Sequence, residues 1–254
     1  VAEFVIAFTV SGQREKYLRQ SLDSWAKVRG VQDAHLLFCI EPGNFPVKEF
    51  DGWAHRVFNN VGIVVNSSVL NTVANTRNGI DLAFEYGARF AVIAEEDIEV
   101  ATDTLEYFSW AAGTYVGSPE VIAVSAHCKA SSSADTSAVV RASWFSPLIS
   151  GTWKDRWEGY IRPEFKGWAD PQWGDPSRSQ AWDTNLRAQV QRDGRFCLFP
   201  TWSRANHIGE YSTWLLPVLA EKLFRDSQSD CFSASYPPMS YHEVPFDSVP
   251  GLLV

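Results

Sequence analysis

The sequence predicts an α/β fold with a mostly parallel central sheet flanked by helices, followed by a tryptophan-rich C-terminal half. Three observations carry that prediction. Up to residue 126, apolar runs of strand length alternate with stretches of helical spacing, the pattern of strand–helix–strand crossovers. The runs are continuous rather than alternating, as in strands covered on both faces. At 254 residues and 28.5 kDa, the chain is long enough to bury roughly three quarters of its unfolded surface, so its core needs no disulfide or metal staple.

The elements follow in order. Phe4–Val10 is the first buried strand. Ser11 then offers an N-cap, and Leu18, Leu22, Trp25 and Val28 recur at helical spacing until Gly30 supplies a stop. Leu36–Ile40 is the second strand, ended by Glu41-Pro42-Gly43, and Gly62–Val65 is a short third. From Asn71 the pattern is helical again, with Val73, Ile80, Ala83 and Phe84 on one face and Gly87 at the close. Phe90–Ala94 is the next strand, and Glu95-Glu96-Asp97 follows it at once. Asp103 with Glu106 resembles a capping box opening a helix, and Val121–Ala126 completes a sheet of about five strands.

Beyond residue 127 the texture changes. Lys129 to Ala138 is rich in Ser and Ala without apolar period and reads as a loop. Residues 144–182 carry many Trp, Gly and Pro and little regular patterning. A helix opens near Trp182-Asp183 and runs to Gly194, Phe196–Phe199 is a late strand, and Trp214–Phe224 is a helix kinked at Pro217. The tail from Ser227 reads as coil. No repeat or linker divides the chain, so we expect one domain over 1–254, with halves 1–126 and 127–254.

Composition narrows the function. Hydrophobic residues are 45% and charged residues 20%, which excludes a disordered chain. The net charge of −8 argues against an extensive phosphate-gripping surface. Cys39, Cys128, Cys197 and Cys231 are widely spaced and form no zinc pattern, so a reducing cytoplasm is expected, although four cysteines could form two bridges. No apolar run reaches 18 residues. The chain starts at Val1 without an initiator Met, which leaves room for a trimmed N-terminal anchor.

The acidic triplet is the sharpest signal. Three consecutive carboxylates repel one another, and an apolar strand gains nothing by ending in them. Ligands of open α/β sheets bind beyond the carboxyl ends of the strands, and carboxylates gathered there suit a hard divalent cation completed by phosphate oxygens. The preceding helix reads Asn71-Thr-Val-Ala-Asn75-Thr-Arg77-Asn78-Gly79. Together with the acidic strand end, it resembles the GT-A glycosyltransferases, which place an Asn/Arg/Asn/Gly cluster before a D-x-D-type motif. The run from Ala91 through Glu95-Glu96-Asp97-Ile-Glu-Val-Ala-Thr-Asp-Thr-Leu-Glu-Tyr-Phe108 is similar to N-acetylglucosaminyltransferase I and its O-mannose-linked relatives. Their motif is Glu-Asp-Asp followed by Leu-Glu-Val-Ala-Pro-Asp. Here the middle acid is Glu96, and Thr102 replaces the proline.

That resemblance implies transfer of a sugar from a nucleotide-sugar, a UDP-sugar above all, with inversion at the anomeric carbon and with Mn2+ or Mg2+. It implies a metal ligand at Asp97, and donor contacts at Thr9, Arg14, Glu41, Asn75, Arg77, Glu95 and Glu96. It also implies a catalytic base at Asp183, which as an Asp opening a helix equally suits a cap. Ser203-Arg204 and His207-Ile208-Gly209 echo a later Ser-Arg and His-Gly of the family, and His207 is a candidate second metal ligand. His127 is a candidate for lining the pocket. Resemblance covers residues 3–126 and returns in patches over 180–212.

The acceptor is expected in the second half, where eight of the eleven tryptophans fall between Trp144 and Trp214. Aromatic faces stack on sugar rings, so Trp153, Trp182 and Trp202 are acceptor candidates, beside the alternative that large aromatics fill a layer short of regular structure. The acceptor hydroxyl could belong to a glycan, a protein, a small molecule or a modified nucleobase. Compact enzymes of this kind occur in bacteria and phages, and some phage members glycosylate hydroxymethylated DNA bases. A non-catalytic carbohydrate-binding protein on the same scaffold is the alternative from another class.

Overall fold

A computed structural model describes residues 4–11, 14–164, 182–209 and 228–254. Among the described residues there are eleven strands: β1 (Phe4–Val10), β2 (His35–Ile40), β3 (Val61–Val65), β4 (Phe90–Glu95), β5 (Ile98–Val100), β6 (Val121–Ser125), β7 (Ala138–Ala142), β8 (Ser150–Trp153), β9 (Phe196–Pro200), β10 (Ala205–His207) and β11 (His242–Glu243). The helices are α1 (Glu15–Trp25), α2 (Val47–Val57), α3 (Asn71–Glu85), α4 (Thr104–Thr114), α5 (Lys154–Arg156) and α6 (Trp182–Arg192). The short α5 continues into a π-helical turn over Trp157–Ile161.

Nine strands form one sheet in the order β11-β7-β9-β6-β8-β4-β1-β2-β3, and β5 pairs with β10 in a separate ribbon. Six of the nine (β3, β2, β1, β4, β6 and β9) share one direction, while β8, β7 and β11 oppose it. The sheet is therefore mostly parallel, and every strand expected in the first 126 residues is present.

Its two faces explain the continuous apolar runs. Successive side chains of a strand point to opposite faces. Ile6, Phe8 and Val10 pack with Trp25 of α1, Phe50 of α2 and Phe108 of α4, whereas Val5 and Ala7 pack with Ile80, Ala83 and Phe84 of α3. Both faces are covered, which is why these strands read as continuous apolar runs.

The second half departs from expectation. The sheet has nine strands rather than about five, because β7, β8, β9 and β11 join the five of the first half. β8 reads Ser-Gly-Thr-Trp, yet it is buried throughout and runs antiparallel between β4 and β6. Small residues are what the slot accepts: a Cβ on Gly151 would collide with the ring of Phe90. β7 begins where the serine-rich loop ends, and its Val139 and Val140 are fully buried. The tail is mostly coil, as expected, except that β11 adds to the sheet edge beside β7. The expected helix at Trp214–Phe224 lies outside the described residues.

Two expected caps are spent elsewhere. Asp103 makes no capping hydrogen bond to α4; it is fully buried and faces Arg204 at 3.2 Å. Glu106 instead binds Arg29 at 2.6 Å. Ser11 does not cap α1, which starts at Glu15; its hydroxyl turns to Glu96. Among the described residues, no helix is long and apolar enough to cross a membrane.

Candidate functional site

The parallel register of β1 and β4 pairs Thr9 with Glu95, so the chain leaving β1 passes beside the acidic turn. Ser11 grips Glu96 twice there, its N–H donating to Oε2 at 2.5 Å and its hydroxyl to Oε1 at 2.7 Å. From the other side, β10 pairs antiparallel with β5, setting His207 opposite Ile98. The N–H of Ile208 then donates to the carbonyl of Asp97 at 2.9 Å. The turn is clamped between two segments far apart in sequence.

Its carboxylates meet two basic side chains. Arg14 Nη2 lies 2.5 Å from Asp97 Oδ2, and Nη1 lies 3.4 Å from Glu96 Oε1. His207 Nε2 approaches the same Asp97 Oδ2 at 3.1 Å. Asp97 is 2% exposed and Glu96 4%. Asp97 Oδ1 is buried with no hydrogen-bond partner among the described residues. Gly209 closes the site: a Cβ there would overlap both Asp97 Oδ2 and Arg14 Nη2, so the backbone comes closer to this ion pair than any side chain would permit.

Burial disfavours charge here, and the partners decide which group keeps it. Burial pushes Glu96 up to about 7, against the pull of the Ser11 hydrogen bonds and the Arg14 charge. Burial, aided by the Asp97 charge, raises Glu95 as well. Burial acts on Asp97 in the same sense, but the hydrogen bond and charge of His207, with those of Arg14, outweigh it and hold Asp97 below the usual carboxylate range. His207 is moved the opposite way: burial lowers it, and the Asp97 carboxylate more than offsets that.

A second cluster lies at the ends of β2 and β3. Glu41 follows β2 and accepts the N–H of Leu70 on Oε2 at 2.8 Å, while Oε1 is buried without a partner among the described residues. Burial raises its pKa, and the Leu70 hydrogen bond works against that. Asn75 of α3 donates to the carbonyl of Cys39 at 3.0 Å and accepts from Asn66 at 2.9 Å. Asn78 continues the chain by donating to Asn66 at 3.2 Å. Asn66 has no motif around it and was not foreseen.

No family model matches the sequence. Solved structures do resemble the fold. GalNAc-T7 with UDP, GalNAc and Mn2+ aligns with a TM-score of 0.62 at 9% identity, over 84% of this chain and 45% of that one. S. aureus TarS 1–349 aligns at 0.53 and 10% identity, over 80% and 59%. The mannosyltransferase PcManGT from Pyrobaculum calidifontis, in complex with GDP-Man and Mn2+, aligns at 0.51 and 12% identity, over 78% and 54%. The chain has the GT-A fold. It spans roughly half of the length of these proteins, and the likeness extends to the fold rather than to the N-acetylglucosaminyltransferase family.

Within the GT-A fold, the residues of the acidic turn can be tested against a divalent cation. Asp97 and His207 offer an oxygen and a nitrogen 3.1 Å apart, close to the roughly 3 Å between adjacent ligands of an octahedral ion with bonds of about 2.1 Å. Asp97 Oδ1 adds an unspent lone pair. No group of three or more His, Cys, Asp or Glu side chains gathers as a metal cage among the described residues. Two protein donors suit Mg2+ or Mn2+ at a phosphate site, where water and substrate oxygens complete the shell. The residues fit the ion.

The remaining candidates have partners of their own. Arg77 faces Asp81 one turn on, at 3.7 Å, beside Arg162 and the indole of Trp157. Asp183 opens α6 and pairs with Arg187 at 3.2 Å, and Arg187 itself donates to the carbonyl of Phe145 and lies over Trp144. Trp153 is 4% exposed, with Phe90 edge-on at 5.0 Å and Arg156 over its ring at 4.3 Å. Its faces are taken by the core, which leaves none for a sugar. Trp202 is half-buried and donates to the carbonyl of Ser133 at 2.7 Å. The side chain of Trp182 lies outside what is described, as do Trp168, Trp173 and Trp214. His127 is buried at the end of β6.

The resemblance singled out Ser203-Arg204, but sequence reasoning did not foresee that the arginine is interior. Arg204, fully buried, donates to the carbonyls of Trp202 at 2.5 Å and Thr136 at 2.6 Å while facing Asp103. A lone Arg after Ser carries no periodicity, so nothing in the sequence marks it as interior.

Proposed function

We propose that the chain is a divalent-metal-dependent glycosyltransferase that moves a sugar from a nucleotide-sugar, a UDP-sugar, to an acceptor hydroxyl with inversion at the anomeric carbon. The observation that carries the reading is the buried Asp97–His207 pair with its unpartnered Oδ1, at the carboxyl edge of a GT-A sheet. The names of similar GT-A structures, which include UDP with Mn2+ and GDP-Man with Mn2+, support it.

In this reading Asp97 and His207 hold Mn2+ or Mg2+, which when bound neutralises charge growing on the leaving diphosphate. Arg14 supplies a second positive group on the same side. Glu41 offers Oε1 to a base N–H, and Thr9 and Asn75 line the donor side. Glu95 and Glu96 accept ribose or sugar hydroxyls, while Arg77 would have to leave Asp81 to reach a phosphate. Asp183 takes the acceptor proton as the new C–O bond forms and the bond to the diphosphate breaks. The acceptor side falls to residues 127–254, with Trp182 and Trp202 as its aromatic candidates.

The test is nucleotide release from UDP-glucose, UDP-galactose, UDP-N-acetylglucosamine and GDP-mannose, with and without Mn2+. Metal-dependent release from one donor, lost in Asp97→Ala, is the expected result. Failure of UDP plus Mn2+ to raise the melting temperature, together with no release from any donor, overturns the reading. Sugar binding without release points instead to a carbohydrate-binding protein.

A further inference from the structure

The proposed chemistry leaves one pair of reactive side chains unused. The sulfurs of Cys128 and Cys231 lie 3.3 Å apart, in contact but short of a covalent bond. Cys128 follows His127 past the end of β6, and Cys231 lies on the segment from Gln228. The two backbones are already tied on either side of the pair. Asp230 N–H donates to the carbonyl of Lys129 at 2.8 Å, and Lys129 Nζ donates to the carbonyl of Gln228 at 2.7 Å. Closing to the 2.05 Å of a disulfide asks for about 1 Å of sulfur movement and no separation of chains to be bridged.

Both neighbourhoods reach the strand that carries His207. Cys128 N–H meets the hydroxyl of Ser203 at 3.2 Å, and that hydroxyl donates to the carbonyl of Ala205 at 2.7 Å. Ser229 N–H donates to Asn206 Oδ1 at 3.1 Å. The thiols are also unequal. The Cys128 hydrogen bond, with help from Ser229 and against burial, brings Cys231 down to about 6. The reciprocal contact, together with burial, pushes Cys128 up. All four cysteines are buried, and in Cys39 and Cys197 that burial is the largest cause of the shift, raising both.

We propose that Cys128 and Cys231 are a disulfide-forming site, oxidised by a small disulfide such as oxidised glutathione, and that the closed bond clamps Ser229 and Asn206 beside His207. The Cys231 thiolate attacks one sulfur of the small disulfide, forming a mixed disulfide and expelling one thiolate. Cys128, losing its proton to solvent, attacks the Cys231 sulfur and expels the second. The protein dithiol gives up two electrons, the small disulfide gains them, and two small thiols leave with the two protons. The step is independent of the glycosyltransferase reading.

The experiment incubates the folded chain in a glutathione buffer poised to oxidise a thioredoxin dithiol fully. The expected product is lighter by about 2 Da and yields a Cys128–Cys231 peptide on non-reducing mapping, with Cys39 and Cys197 alkylated only after unfolding. Its melting temperature rises by roughly 5 °C or more, as for closure of a loop of this length, and amide exchange over Ala205–His207 slows about tenfold. Cys128→Ser and Cys231→Ser each lose the mass change, and Cys39→Ser keeps it. Two free thiols at that poise, or a glutathione adduct that persists on Cys231, overturns the disulfide. A closed bond with unchanged exchange at Ala205–His207 overturns the clamp. Both readouts come from the unmutated chain, so neither depends on a variant folding.

Discussion

Arg204→Met tests whether the site rests on a buried ion pair. Arg204 and Asp103 are both 0% exposed and face each other at 3.2 Å. Tyr236 and Tyr241 flank the guanidinium at 4.3 Å and 5.4 Å, and the Tyr241 hydroxyl donates to Asp103. Methionine keeps the volume of the stem but strands the Asp103 charge, together with the carbonyls of Thr136 and Trp202. Breaking one partner of a buried pair costs about 3–5 kcal/mol. At roughly 2–4 °C per kcal/mol for a chain of this size, the melting temperature falls by about 6–20 °C. Urea unfolding of Arg204→Met, Asp103→Asn and the double variant measures the coupling. The double variant should be no less stable than Arg204→Met alone, because removing both charges leaves nothing unpaired. A loss under about 1 kcal/mol, or strict additivity, would refute the claim that this pair anchors the segment leading to His207.

Three further outcomes follow from the same geometry. Asp97→Asn keeps the shape and removes the charge, so Mn2+ binding followed by calorimetry in the presence of UDP should weaken at least about tenfold. Gly209→Val places a side chain where Asp97 and Arg14 meet; the Mn2+-dependent thermal shift with UDP should disappear while far-UV circular dichroism stays native. Trp153→Ala empties a core site and should cost about 3–5 kcal/mol in urea unfolding, and an acceptor-specific loss of activity without that destabilisation would contradict its placement.

Legibility tracked the periodicity of each segment. β1, β2, β4 and β6 were readable because burial on both faces leaves a continuous apolar run, and the acidic turn was readable because such a run ends in three carboxylates. β8 was not, since a strand wedged beside Phe90 needs small residues and Ser-Gly-Thr-Trp has neither alternation nor apolar length. Ser11 and Asp103 look like caps to any local rule, and tertiary partners, Glu96 and Arg204, take them instead. The tryptophan surplus divides in the same way. Trp153 and Trp157 fill the core, whereas Trp144 and Trp202 keep part of their surface. Clustering in sequence therefore located a layer that aromatics fill, at least in part.

Glu95 ends β4 of the main sheet, whose position is set by two packed faces, and Glu96 and Asp97 are the turn that follows it. His207 comes from outside that sheet, on a two-stranded ribbon only three residues long on each side, and Gly209 follows two residues later. A ribbon that short is not stable on its own, so its place depends on what flanks it. Arg204, just before β10, is held by Asp103, and Asn206 within it accepts the N–H of Ser229. Loosening either flank moves His207 relative to Asp97 while leaving the Asp97 turn, which Ser11 still grips through Glu96, where it is. Variants at Arg204 or in the segment from Gln228 should thus affect His207 first, and the Glu41–Asn75 cluster at the ends of β2 and β3 last.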